Sequence, residues 1–187
     1  MARLEQIAMR LEVKEGKNNC TLINDSYNSD LASLDIALNF MARRSEEMGR
    51  KRTLILSDLL ETGQSSKLLY RQVADLVKTH GVDRIIGIGT EISEASSRFE
   101  VEKHFFHTTE EFLSSDWLLN LRNEVVLIKG SRSFHFDLIT ERLELKVHET
   151  ILEINLNALV DNLNHYRSKL KPDTKMVCMV KASAYGA

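Results

Sequence analysis

One proline, two cysteines and one tryptophan stand in 187 residues, and aromatic residues make up only 6% of the chain. Cys20 and Cys178 lie far apart, each inside an apolar run and without CxxC spacing. A disulfide framework or zinc ribbon is therefore not expected, and reduced, packed thiols in a cytoplasmic protein are. No apolar run approaches the roughly 18 residues of a membrane span, and the start, Met1-Ala2-Arg3-Leu4-Glu5, mixes charges where a secretion signal needs an apolar core. Neither sign of charge is in excess, with 25 Lys+Arg against 27 Asp+Glu, so no broad polyanion-binding face and no nucleic-acid partner are expected. A GxxxxGK[ST] phosphate loop is missing. Gly87-Ile88-Gly89 lacks the third glycine of a dinucleotide fingerprint, because position 92 is Ile, and reads as a tight turn. The six histidines show neither HxxxH nor HExxH spacing, so no metal site is expected.

What is there is an alternation of strand and helix. Residues 9–13 alternate apolar and charged positions, 16–19 read as a turn, and 20–24 pair back as a second strand. Asp30 is a natural N-cap, and Leu34, Ala37, Leu38 and Met41 fall at the i, i+3, i+4, i+7 spacing of one buried helical face. Further strands are expected at 53–56, 84–88, 103–106 and 125–128. Helices are expected around Leu69, Val73, Leu76 and Val77, over 92–99, around Phe112 behind a Thr108 cap, and around Phe136, Ile139 and Leu143. Over residues 1–143 this rhythm predicts an α/β fold, a mostly parallel, Rossmann-like sheet with helices on both faces. Residues 144–150 read as a polar linker. From 151 the rhythm restarts with a strand at 151–154, a helix at 156–170 presenting Leu159, Leu163 and Tyr166, and an apolar strand at 176–180.

Four places carry candidate chemistry. Asn24, Asp25, Tyr27 and Asn28 cluster in the loop between the second strand and the first long helix, where open α/β sheets place their ligand contacts. Asp25 and Asn28 also suit a turn that satisfies its own backbone. Lys129-Gly130-Ser131-Arg132 puts two cations around a flexible glycine at a strand end, which suits a carboxylate or phosphate, or else a solvated basic loop. Asp58 and Glu61 suit an amine or a magnesium-linked water, or the dipole of a following helix. Lys181 follows an apolar strand that could desolvate it; a free lysine titrates near about 10.4 and needs such a setting for imine chemistry.

Residues 8–143 resemble the C-terminal domain of the Mur ligases, and within them the branch that adds D-alanyl-D-alanine to UDP-N-acetylmuramoyl-tripeptide. Three stretches carry the resemblance: Ile23-Asn24-Asp25-Ser26-Tyr27-Asn28, Leu56-Ser57-Asp58-Leu59-Leu60-Glu61-Thr62-Gly63, and Val126-Leu127-Ile128-Lys129-Gly130-Ser131-Arg132-Ser133. This chain has Asp30-Leu31 where the family commonly has Asn-Pro, and Ser57 where it has Gly. The resemblance implies that Asp25 meets the ribose of ATP, with Asn24, Tyr27 and Asn28 shaping the loop. It also implies that Lys129, Ser131 and Arg132 face the incoming dipeptide or an acyl phosphate, and that Asp58 and Glu61 serve the dipeptide amine. ATP and Mg2+ are the implied cofactors, UDP-muramoyl-tripeptide and D-alanyl-D-alanine the substrates, and the ligase N-terminal and central domains the partners.

Residues 151–187 resemble the first βαβ unit of alanine racemase, a (β/α)8 barrel, through Val180-Lys181-Ala182-Ser183-Ala184-Tyr185-Gly186. That implies a Schiff base between Lys181 and pyridoxal phosphate, with Tyr185 at the phosphate. The order reads as the junction of a bifunctional ligase–racemase. The chain alone is expected to be inactive, to retain no cofactor, and to be able to self-associate through its truncated tail. The alternative is a non-catalytic docking module on the same α/β scaffold.

Overall fold

The computed structural model describes residues 11–26, 30–59, 63–145 and 154–177, and the chain divides into two units, Met1–Leu145 and Lys146–Ala187. In the first unit the elements run β1 (Glu12–Gly16), β2 (Cys20–Asp25), α1 (Leu31–Met48), β3 (Lys51–Ser57), α2 (Ser66–Thr79), β4 (Arg84–Ile88), α3 (Thr90–Glu94), β5 (Glu102–Phe106), α4 (Thr109–Leu113), α5 (Trp117–Asn120), β6 (Glu124–Lys129) and α6 (Asp137–Leu143). The strands form one sheet in the order β1-β2-β6-β3-β4-β5. The β1–β2 pair is antiparallel, joined by a short 3-10 turn over Lys17–Asn19, and every other neighbouring pair is parallel.

Because side chains alternate along a strand, the central strands feed two cores. Ile23, Leu54, Leu56, Ile85, Val125 and Leu127 meet Leu34, Leu38 and Met41 of α1 and Leu69, Val73 and Val77 of α2 on one face. Leu22, Ile55, Ile86, Val126 and Ile128 meet Phe112 of α4 and Ile139 and Leu143 of α6 on the other. The helix after β6, α6, lies on the second face, whereas the helices after β2 and β3 lie on the first. Both flanks of β6 are therefore points where the winding changes sides, the position at which open sheets bind ligands.

Two expectations are corrected by position. The helix expected over 92–99 is α3 (Thr90–Glu94) followed by a 3-10 turn (Ser96–Arg98), because the helix starts where the Asp58 carboxylate takes the Glu91 and Ile92 amides. The first strand continues past Val13 to Gly16 because Glu12 to Gly16 all pair with β2; residues 9 and 10 of that expectation lie outside the described residues.

In the second unit α7 (Leu156–Ser168) starts at Asn155, whose Oδ1 accepts from the Ala158 N–H at 3.1 Å. Leu159 and Tyr166 are exposed and Leu163 is half-buried. The strands expected at 151–154 and 176–180 lie mostly outside the described residues; Ile154, Met176 and Val177, which are described, are not in strand. Among the described residues no helix is long and apolar enough to cross a membrane.

Candidate functional site

The C-terminal ends of β2, β6 and β3 gather most of the described candidates. Strand alternation separates the two polar residues that end β2. Asp25 continues the side of Ile23, towards α1, whereas Asn24 continues the side of Leu22, towards α6. Asp25 is only 8% exposed, and its Oδ2 accepts from Lys129 Nζ at 2.6 Å. The two residues face each other across the parallel β2–β6 register. Lys129 is the last residue of β6 and 0% exposed, so the lysine is inside the fold rather than on a solvated basic loop.

Asp30 then caps α1: its carboxylate accepts from the Ser33 N–H at 2.8 Å, and the Ser33 hydroxyl reaches back to the Asp30 backbone in a capping box. Burial pushes the Asp30 carboxyl up. The hydrogen bonds from Ser33 and the charge of Lys129 outweigh that and hold it below the usual carboxylate value.

On the other side of β2 an open groove of about 630 Å³ is lined by Leu11, Glu12, Asn24, Ser26, Arg132, Phe136 and Asp137. Asn24 Oδ1 is buried and has no hydrogen-bond partner among the described residues. Buried polar oxygens are nearly always paired, so this atom marks a place for a donor. Arg132 reaches the groove from a 3-10 turn (Arg132–Phe134) set by two local constraints. A Cβ at Gly130 would stand 2.5 Å from the Phe136 ring, so only glycine fits there. The Ser131 N–H donates to Ser57 Oγ at 3.0 Å, which ties the turn to the end of β3.

Asp58 is not at this groove. Its Oδ1 accepts from the Ile92 N–H at 2.8 Å and the Tyr70 hydroxyl at 3.1 Å, and its Oδ2 accepts from the Glu91 N–H at 3.2 Å. The carboxylate thus caps the short α3 and fills the space over Gly89, where φ is +138° and a Cβ would lie 2.3 Å from Asp58 Cγ. Burial, and after it the charge of Asp58, drive the Tyr70 phenol far above its ordinary value, so it stays a hydrogen-bond donor.

Tyr27, Asn28, Glu61, Lys181 and Tyr185 lie outside the described residues. Ser26, Ser57 and Tyr70 were not picked out from the sequence. Tyr70 had a usable signal, since it sits beside Leu69 on the buried stripe of α2. Among the described residues no three His, Cys, Asp or Glu side chains gather as a metal site would require.

Comparison with known proteins places these features in context. Residues 9–132 match the family described as Mur ligase, glutamate ligase domain. The UDP-N-acetylmuramoyl-tripeptide–D-alanyl-D-alanine ligase of Escherichia coli (strain K12) is 30% identical over 146 residues, which cover 77% of this chain and 31% of that protein. Its counterpart in Bacillus subtilis (strain 168) is 26% identical over 148 residues, covering 76% of this chain and 32% of the other. The chain thus spans about a third of the length of the curated relatives it matches. A crystal structure of MurF from Acinetobacter baumannii superposes with a TM-score of 0.57 at 21% identity, covering 73% of this chain and 30% of that one. MurF ligase from Thermotoga maritima, in complex with ADP, gives 0.56 at 19% identity over 75% and 31% of the two chains. These two likenesses are of fold.

Proposed function

Because the chain belongs to the Mur ligase family over its glutamate ligase domain, we propose that its first unit is the nucleotide- and substrate-contacting domain of an ATP-dependent amide-bond ligase. The reaction would join D-alanyl-D-alanine to UDP-N-acetylmuramoyl-tripeptide in peptidoglycan synthesis, the activity named for its curated relatives. The observation that carries this reading is the buried, unpartnered Asn24 Oδ1 beside Arg132 in a groove at the side-switch of the sheet. An unpaired amide oxygen on a residue that lines an open groove fits a nucleoside hydroxyl or amine, and a guanidinium fits a carboxylate or phosphate.

In this reading Asn24 and Asp25 hold the nucleoside from either side of the β2 end. Arg132 and Ser131, fixed by Gly130 and Ser57, draw the anionic group of the second substrate to the same mouth. Bound ATP supplies activation of a carboxylate for attack by an amine. This chain's residues bind, orient and, on closure against the other ligase domains, exclude water. No described residue is assigned to magnesium.

Calorimetric titration of the 187-residue chain with Mg-ATP and with D-alanyl-D-alanine tests this. Weak binding of ATP is expected, reduced about tenfold by Asn24→Ala or Asp25→Ala, the order of one hydrogen bond to a charged or buried group. ATP affinity unchanged in both variants would overturn the assignment.

The proposal extends to the second unit as the opening segment of an alanine racemase, supported by the Lys181-to-Gly186 motif. A single βαβ of a barrel lacks the remaining walls of a cofactor pocket. Mixing the chain with pyridoxal phosphate is therefore expected to give no Lys181-dependent absorbance band, and a stable one would show the segment to be self-sufficient.

A further inference from the structure

Lys129 stands where two expectations conflict. A lysine that meets an incoming dipeptide or phosphate must reach the groove. This one is 0% exposed, whereas the groove is lined by Asn24 and Ser26 at the end of β2 and by Arg132 from the turn after β6. Alternation along β6 places Ile128 with the Phe136 core and sends Lys129 to the opposite side, with Leu127 and α1. There its Nζ lies 2.6 Å from Asp25 Oδ2, directly across the strand register. Its charge is also felt at Asp30, the residue that caps α1. The hydrogen bond to Asp25 is the contact that places this ammonium, at the C-terminal end of β2.

We infer that Lys129 is a positioning residue: its buried ammonium fixes the Asp25 carboxylate at the end of β2, and it does not itself contact the dipeptide. Lysine suits this task because its compact ammonium has three donors that can be turned towards more than one acceptor at the end of a slender stem. Removing the charge leaves the buried Asp25 carboxylate without its counter-ion, so the carboxylate turns to water and the end of β2 loses its anchor. The inference deepens the ligase reading above and rests on it only for the identity of the ligand.

The experiment compares the full chain with Lys129→Met, Asp25→Asn and the double variant, using Mg-ATP and D-alanyl-D-alanine as separate titrants and recording backbone amide spectra of each. Lys129→Met is expected to weaken ATP binding about tenfold and to leave dipeptide binding within about twofold. The double variant is expected to bind ATP no more weakly than either single one, because the effect of Lys129 runs through Asp25. The double variant also carries no unpaired buried charge, so it supplies the reading if Lys129→Met alone does not fold.

The opposite split, with dipeptide binding lost and ATP binding kept, would show Lys129 at the substrate and overturn the inference. A chain that takes up neither ligand counts against the ligase reading alone. In that case the amides of Asn24, Asp25 and Ser26 decide. Displacement of these signals in Lys129→Met supports the positioning role, and their constancy refutes it.

Discussion

At the end of the sheet remote from the groove, Arg84 opens β4 between two carboxylates. Its Nε donates to Glu102 Oε1 at 2.8 Å and its Nη1 to Glu124 Oε1 at 2.8 Å, while the Thr53 hydroxyl also donates to Glu124. His104 joins this cluster from β5: its ring stacks on Trp117 with centroids 3.5 Å apart, and Nε2 is 3.7 Å from Glu102 Oε1. That nitrogen is buried without a hydrogen-bond partner among the described residues. Burial above all holds the imidazole below its ordinary value, against the opposing pull of Glu102 and with a small push from Arg84. The unfolded chain takes up the proton near about pH 6.5 and the folded chain only at lower pH. Between those two values the unfolded state binds more protons, so this contribution to stability is full above the window and is lost as pH falls through it. His104→Phe keeps a ring on Trp117 and is expected to flatten the decline of the urea midpoint between about pH 7 and about pH 5. An identical decline in both proteins would refute the assignment.

The elements owe their boundaries to side chains of this kind as much as to periodicity. Asp30→Ala is expected to cost about 1–2 kcal/mol of stability through loss of the α1 cap, measured by urea unfolding, with faster hydrogen exchange confined to the first turn of the helix. Because the Asp30 carboxyl is held below its ordinary value, that contribution is present above the unfolded value and lost as pH falls through the folded one. A variant whose deficit is the same at neutral and strongly acidic pH would contradict the cap as its source.

The cap, the stripe of α1 and the spans of β4 and β5 were legible in the sequence because each is written in neighbouring residues. The four residues of α5 (Trp117–Asn120) were not, since one turn is too short to show a period. Nor was the Asp25–Lys129 pair, 104 residues apart, because nothing local tells that β6 inserts between β2 and β3. For the same reason Lys129 reads as surface charge in sequence and is core in the fold. Asp58 resembled a ligand residue because its partners, Tyr70 and the α3 amides, are likewise distant in sequence.

For the molecule as a whole, the division falls between Leu145 and Lys146, and Glu144 of the expected 144–150 linker bridges to Gly16 at the edge of β1, with Leu145 beside it. The Leu145 N–H donates to Glu15 O at 2.8 Å and Lys14 Nζ to Glu144 Oε2 at 3.1 Å, so these two residues bind the outer edge of β1. A chain ended after Leu145 is expected to unfold in urea at the same midpoint as the first unit of the full chain. One ended after Leu143 is expected to lose about 1–2 kcal/mol with those bonds. Equal stability of the two truncations would show the strap to be idle.

The opposite orientations of Asn24 and Asp25 give β2 the character of a parity counter. Inserting or deleting one residue there would leave a strand of acceptable composition yet exchange the pair, sending a neutral amide to the buried ammonium and an anion into a hollow that already holds Glu12 and Asp137. Length changes of two in that strand should be survivable by the scaffold, whereas odd ones should silence the mouth.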